Sequence, residues 1–216
     1  MTLTADVRTR RHVVEVDGVA YATDLVWAQA ETMAEARAAA RRTARDIDRN
    51  STQKNATLAC YRDGMRVQYG IGDSSAGQAA GMPSLAASLV EASSGGPWIG
   101  FWEIEGRFYV AAGDQDVVDP QADRLIAERT SAEELFSELY AADPDRWIQI
   151  YAPVELGVPE ARSVDLEDVL LGARAGVLKP LGLLSGLSAG GLNSRRMKLA
   201  AAVALLAIAV GGGGGY

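Results

Sequence analysis

The chain has one cysteine, Cys60, and one histidine, His12, in 216 residues. A single thiol excludes an internal disulfide framework, as fits a reducing compartment. One thiol and one imidazole also leave too few ligands for an ordinary structural zinc site. Basic charge is in short supply: 21 Lys and Arg stand against 28 Asp and Glu, a formal net charge of −7. Such a surface does not suit nonspecific nucleic-acid binding. The opening "MTLTADVRTRRHVVEVDG" has arginines but no apolar core after them. No signal peptide is expected there, and the N-terminal part is placed in the cytoplasm. What the chain does have is 48% hydrophobic and 23% charged residues, a globular balance for one large domain or two small ones.

Along the chain, strand and helix patterns alternate. "HVVEVDGVAYATDLVW" carries β-branched residues on both sides of Asp17-Gly18 and reads as one hairpin. "ETMAEARAAARRTARDI" places Met33, Ala36, Ala40, Ala44 and Ile47 at helical spacing. "ATLACYRDGMRVQYGIG" gives a second hairpin about Asp63-Gly64. "PSLAASLVEAS" gives a second helix with Pro83 near its first turn, between Gly- and Ser-rich loops at 70–81 and 93–97. In the second half, "WIGFWEIEGRFYVAAGD" predicts two strands about a glycine turn, and "RLIAE" a third. "SAEELFSELYAA" predicts a helix with Ser131 and Glu134 at capping-box spacing and an apolar face of Leu135, Phe136 and Leu139. "WIQIYAP" ends the series as a buried strand that stops at Pro153.

The expected order is therefore ββαββα, then βββαβ. This is an α+β architecture in two similar-sized halves, about 12–92 and 97–156, within a domain over residues 1–178. The second half has the strand order of a ribonuclease H-like or actin-like unit. A short helix is expected near 166–173, followed by a flexible linker over 179–194.

The chain closes on "SRRMKLAAAVALLAIAVGGGGGY". The unbroken apolar run at 199–210 would rise about 18 Å as a helix, against roughly 30 Å of hydrocarbon. A core helix of a soluble domain is one reading. Yet the run is apolar all round, lies beyond the linker, and follows Arg195, Arg196 and Lys198 as a span follows its cytoplasmic flank. Counting from Leu199 through Leu205, Leu206 and Ile208 to Tyr216 gives about 27 Å, with the tyrosine at the far interface. Residues 195–216 are thus expected to form a truncated single membrane anchor, with the N-terminal domain on the cytoplasmic side.

Candidate sites for chemistry are few. "GIGDSSAGQAAG" lacks the Gly-Lys-Ser/Thr ending of a phosphate loop and reads as a plain loop. "GDQDVVDPQAD" gathers Asp114, Asp116, Asp119 and Asp123 without the glycine and terminal glutamate of an EF-hand, so a solvated loop is expected rather than a calcium site. Cys60 alternates with Leu58 and reads as a small buried hydrophobe, and His12 as a strand-start residue. No catalytic, cofactor-binding or metal-ligating residue is assigned. The most suggestive surface is basic: Arg37, Arg41, Arg45 and Arg49 recur every four residues with Arg42 beside them. The stripe suits an acidic partner, anionic headgroups or a second copy of the chain. The plainer account is a solvated face held by pairs such as Arg42–Asp46 and Arg45–Asp48.

Taken together, "VDGVAYATDLVWAQ", "GMPSLAASLVEA", "WIGFWEIEGRFYVAA", "IYAPVELGV" and the late basic-then-apolar run resemble the PilO-type pilin accessory proteins of type IVb pili, over most of residues 13–216. The resemblance implies a bitopic inner-membrane protein whose cytoplasmic domain joins the pilus assembly platform. Its expected partners are other inner-membrane platform proteins and the secretion ATPase, with homo-oligomerisation a further expectation. The resemblance brings no catalytic residues and no cofactor, so a non-enzymatic role is expected. The family continues into a periplasmic region that this sequence does not include. Two alternatives stand beside this reading: a single-span platform subunit of a type II secretion system, and an actin-like nucleotide-binding enzyme.

Overall fold

The computed structural model of the chain describes residues 11–51, 55–93 and 96–182. The first hairpin, β1 (Val13–Val16) and β2 (Val19–Ala22), turns through Asp17 and Gly18 at φ 49° and 69°. Two successive positive φ values make the turn whose twist matches paired strands. The second strand does not run on to Trp27 as expected. Thr23, Asp24 (φ 57°) and Leu25 break it, and β3 (Val26–Ala30) leaves for another sheet. The backbone amides of Asp24 and Leu25 are taken by a distant carboxylate, Asp123, so a tertiary contact overrides local strand propensity.

Helix α1 (Met33–Asn50) starts at Thr32, whose hydroxyl accepts from the Glu35 amide at 3.2 Å. Ala36, Ala40 and Ala44 are its buried row, small enough to seat it closely on the first sheet. That sheet has the order β11-β4-β5-β3, all antiparallel, from β4 (Leu58–Asp63), β5 (Val67–Gly72), β3 and β11 (Lys179–Pro180). Two sequence expectations change here. Gly70 and Gly72 lie within β5 rather than in a loop. Lys179 and Pro180, expected to begin the linker, pair with Ala59 and Leu58, and Leu178 and Leu181 on either side are buried. Apolar anchors at those two positions hold the segment to the sheet edge.

Helix α2 (Leu85–Ala92) is capped by Ser84, so Pro83 precedes the cap instead of occupying the first turn. The second sheet follows, from β6 (Trp98–Ile104), β7 (Arg107–Asp114), β8 (Val117–Val118), β9 (Arg124–Ile126) and β10 (Gln149–Tyr151). Its order is β10-β6-β7-β8 with β9 also on β7; β10 runs parallel to β6, and the other pairs are antiparallel. A parallel return needs a crossover, which helix α3 (Arg129–Ala142) supplies. This helix begins at Glu128, earlier than its sequence signal, so Ser131 sits inside the first turn and the capping box does not form. A short helix, α4 (Leu166–Leu170), lies where one was expected. The observed order is thus βββαββα then ββββαβ, with one strand more in each half than expected.

Side chains alternate along β6 and β7 and divide the interior. Trp98, Trp102, Ile104, Tyr109 and Ala111 face a core that also takes Trp27, Leu58 and Cys60 from the first sheet and Leu85 and Leu89 from α2. Ile99, Phe101, Phe108 and Val110 face the other way, against Ala132 and Phe136 of α3. The two halves therefore share one core. Helices α1 and α3 cover the outer faces of the two sheets. Among the described residues no helix is long and apolar enough to cross a membrane. The expected linker beyond residue 182 and the expected anchor at 195–216 lie outside the described residues.

Candidate functional site

The arginine stripe is where the sequence places it, on the solvent side of α1. Arg37, Arg41, Arg42, Arg45 and Arg49 are all exposed, and the stripe winds from beside the buried alanines at Arg37 to the far side of the helix at Arg49. Arg41 and Arg37 lie beside Tyr61 of β4, where they oppose the burial that raises the pKa of its hydroxyl. The expected helical ion pairs do not form. Asp46 instead lies 3.6 Å from Arg49, and Asp48 accepts from the Ala56 amide at 2.8 Å. The short aspartate side chains turn to nearer partners: one to the cation three residues on, the other to the chain leaving the helix. Among the described residues, Arg37, Arg41, Arg42 and Arg45 are left with no carboxylate within ion-pair distance.

The acidic run differs more from its expectation. Asp123, expected in a solvated loop, is fully buried where the two sheets meet. One oxygen accepts from the Asp24 amide (3.1 Å) and the Tyr109 hydroxyl (2.9 Å); the other accepts from the Leu25 amide (3.0 Å) and the Trp27 indole (2.8 Å). Asp24 reciprocates, taking the Leu125 amide at 3.1 Å. Close by, the Gln68 side chain holds Val118 through both its amide and its carbonyl, at 3.0 and 2.7 Å. Asp116 accepts from the Met65 amide in the β4–β5 turn. Asp114 and Asp119 remain at the surface, 3.9 and 4.0 Å from Arg146. Asp24, Asp123 and Gln68 thus tie the two halves together. For Asp24 and Gln68 the sequence signal is a polar side chain set among strand-forming apolar ones, as in "ATDLVW" and "RVQYGI"; Asp123 has no such signal.

The tie carries a charge conflict. Burial, and then the charge of Asp123, push the Asp24 carboxyl up to about 7, against the Leu125 amide and the Thr23 hydroxyl that favour its ionised form. Burial raises Asp123 as well. A carboxyl with a raised folded pKa binds its proton more tightly when folded, so its contribution is present at low pH and is lost as pH rises through the folded value. Unfolding free energy should accordingly fall between about pH 4 and pH 7, by roughly 2–4 kcal/mol from this group. Asp24→Asn mimics the protonated form and should match wild type below about pH 4, pull ahead as the pH rises, and exceed it most at pH 8 in urea titrations. Parallel pH profiles for the two proteins would rule the conflict out.

Other features are plainer. Burial lifts the Cys60 thiol to about 12, which removes it as a nucleophile at neutral pH. Among the described residues, no group of three or more His, Cys, Asp or Glu is placed to hold a metal ion. A groove of about 390 Å³ runs beside Trp102, Val164 and Arg129. Its carboxylates, Glu103, Glu155 and Asp165, face a single cation, Arg129, which is already 2.7 Å from Glu133.

No family model and no curated protein matches the chain. Among solved structures, it is similar to the crystal structure of the cytoplasmic domain of BfpC, with a TM-score of 0.56 at 19% identity over 80% of this chain and 99% of that one, a likeness of fold.

Proposed function

We propose that the chain is a non-enzymatic component of type IV pilus assembly, a part of the inner-membrane platform that links cytoplasmic machinery to the membrane complex. The observation that carries this reading is the fold held in common with nearly the whole cytoplasmic domain of BfpC, a type IV pilus biogenesis protein. The PilO-type assignment and the type IVb class rest on the sequence resemblance alone. The β6–β7–β9–α3–β10 unit, with β10 parallel to β6, has the connectivity of a ribonuclease H-like module. In this reading the module is a scaffold, residues 195–216 anchor it in the inner membrane with the folded part in the cytoplasm, and its partners are platform proteins and the secretion ATPase.

The test is recovery of the tagged full chain from detergent-solubilised membranes of its own host. Pilus inner-membrane proteins should come with it. Recovery from the soluble fraction without them would sink the proposal, and recovery with type II secretion subunits would move the protein to that machine. The actin-like alternative has its own arm. ATP with magnesium should leave the melting temperature unchanged, whereas a nucleotide at 100 times its dissociation constant would add about 2.7 kcal/mol to a protein that binds it.

A further inference from the structure

Among the described residues, four arginines of α1 have no carboxylate within ion-pair distance, and the opposite outer layer shows the mirror condition. Glu134 and Glu138 are exposed on α3, and Asp143 and Asp145 follow at its end. None of the four has a cation within ion-pair distance among the described residues. Arg129 and Glu133 neutralise each other at 2.7 Å and leave the rest of that face acidic. Arg37, Arg41 and Arg45 recur at four-residue intervals, a rise of about 6 Å, and Glu134 and Glu138 share that interval. Asp143 and Asp145 continue the acidic patch past the end of α3, so the two patches are complementary in sign. The two patches lie on the outer faces of different sheets of one rigid unit, α1 on β5 and α3 on β6 and β7. They cannot meet within a chain. They can meet between chains.

We propose that the chain self-associates head to tail, with Arg37, Arg41 and Arg45 of one copy against Glu134, Glu138 and Asp145 of the next. Such a contact joins two different patches, so it repeats into a ring or an open row rather than closing as a symmetric dimer. The occupant is a second copy rather than an anionic membrane because each copy carries the complementary acidic patch, and because the apolar side of α1, which an interfacial helix would insert, is already buried on its own sheet. The proposal stands independently of the pilus reading, because it uses only the charges of this chain. Exposed ion pairs are individually weak and screened by salt, so the association is expected to be dynamic and to dissolve as ionic strength rises.

The test is a charge-swap cycle on the full chain in neutral detergent, followed by sedimentation over a concentration series. Wild type should gain mass with concentration at 50 mM salt and lose the gain at 500 mM. The triple variant Arg37→Glu, Arg41→Glu, Arg45→Glu should associate about tenfold more weakly or worse, and so should Glu134→Lys with Glu138→Lys. Mixing the two variants should restore a heteromeric species, because each supplies the face the other lacks. A wild type that stays monomeric throughout, or variants that associate as wild type does, overturns the proposal. So does a mixture that fails to recover. If wild type is monomeric and the arginine variant instead loses binding to vesicles of anionic lipid, the stripe serves a membrane.

Discussion

Replacing Asp123 with alanine is expected to lower the unfolding free energy by about 4 kcal/mol or more and to bring the melting temperature down by roughly 10–15 °C. The reason lies in what the carboxylate leaves behind. Two backbone amides, an indole and a phenol donate to it, and all are buried or partly buried where water cannot take its place. A buried donor without an acceptor costs about 1–3 kcal/mol, and the site would hold several at once. These donors come from the Asp24–Leu25 corner, β3 and β7, so the loss falls on the joint between the sheets rather than on either sheet alone. Asp123→Asn should lose about half as much, because one oxygen still accepts while the new amide faces donors. Urea titrations followed by the fluorescence of Trp27 and its neighbours measure both variants. An alanine variant within about 1 kcal/mol of wild type would mean that the carboxylate costs as much to bury as its bonds return.

How far the sequence reveals this fold depends on the range of the forces involved. Turns at Asp17-Gly18 and Glu105-Gly106 are local, fixed by residues that tolerate positive φ, and both hairpins stand where the sequence places them. The alanine row of α1 is local too, and it correctly puts the arginines outside. The misreadings share another cause. An aspartate in a polar run looks solvated until the Asp24–Trp27 segment, nearly a hundred residues earlier, brings three donors to it and Tyr109 a fourth, and no periodicity within "GDQDVVDPQAD" records their arrival. The same holds for Lys179–Pro180, whose pairing with β4 follows from buried leucines on either side and not from any strand-like alternation. On the arginine stripe, position was legible and partnership was not. Which arginines stay unpaired depends on where Asp46 and Asp48 turn, and no helical spacing fixes that.

The second large effect is expected at Gly100, in the middle of β6. Residues two apart on a strand share a face, and here the indole of Trp102 lies flat over the glycine. A β-carbon built at Gly100 would fall 1.9 Å from the indole Cη2. The ring loses its contacts in any retreat toward the neighbouring groove. It stacks on Tyr109 and Tyr151 at centroid distances of 6.5 and 5.7 Å, and its Nε1 donates to the Val164 carbonyl at 3.2 Å. Gly100 also pairs with Tyr151 across the parallel β6–β10 contact, so displacing the indole disturbs the strand that closes the sheet. Gly100→Ala should therefore cost about 3 kcal/mol, at the upper end for overpacking, although it adds a single methyl group. Trp102→Ala alone should cost about 3–5 kcal/mol through the lost burial and the cavity. In the double variant the clash disappears with the ring, and the new methyl group fills part of the space. Its loss should match that of Trp102→Ala alone, leaving a coupling of about 3 kcal/mol between the two sites. Losses that simply add would show that Gly100 acts through backbone freedom and not through the ring above it.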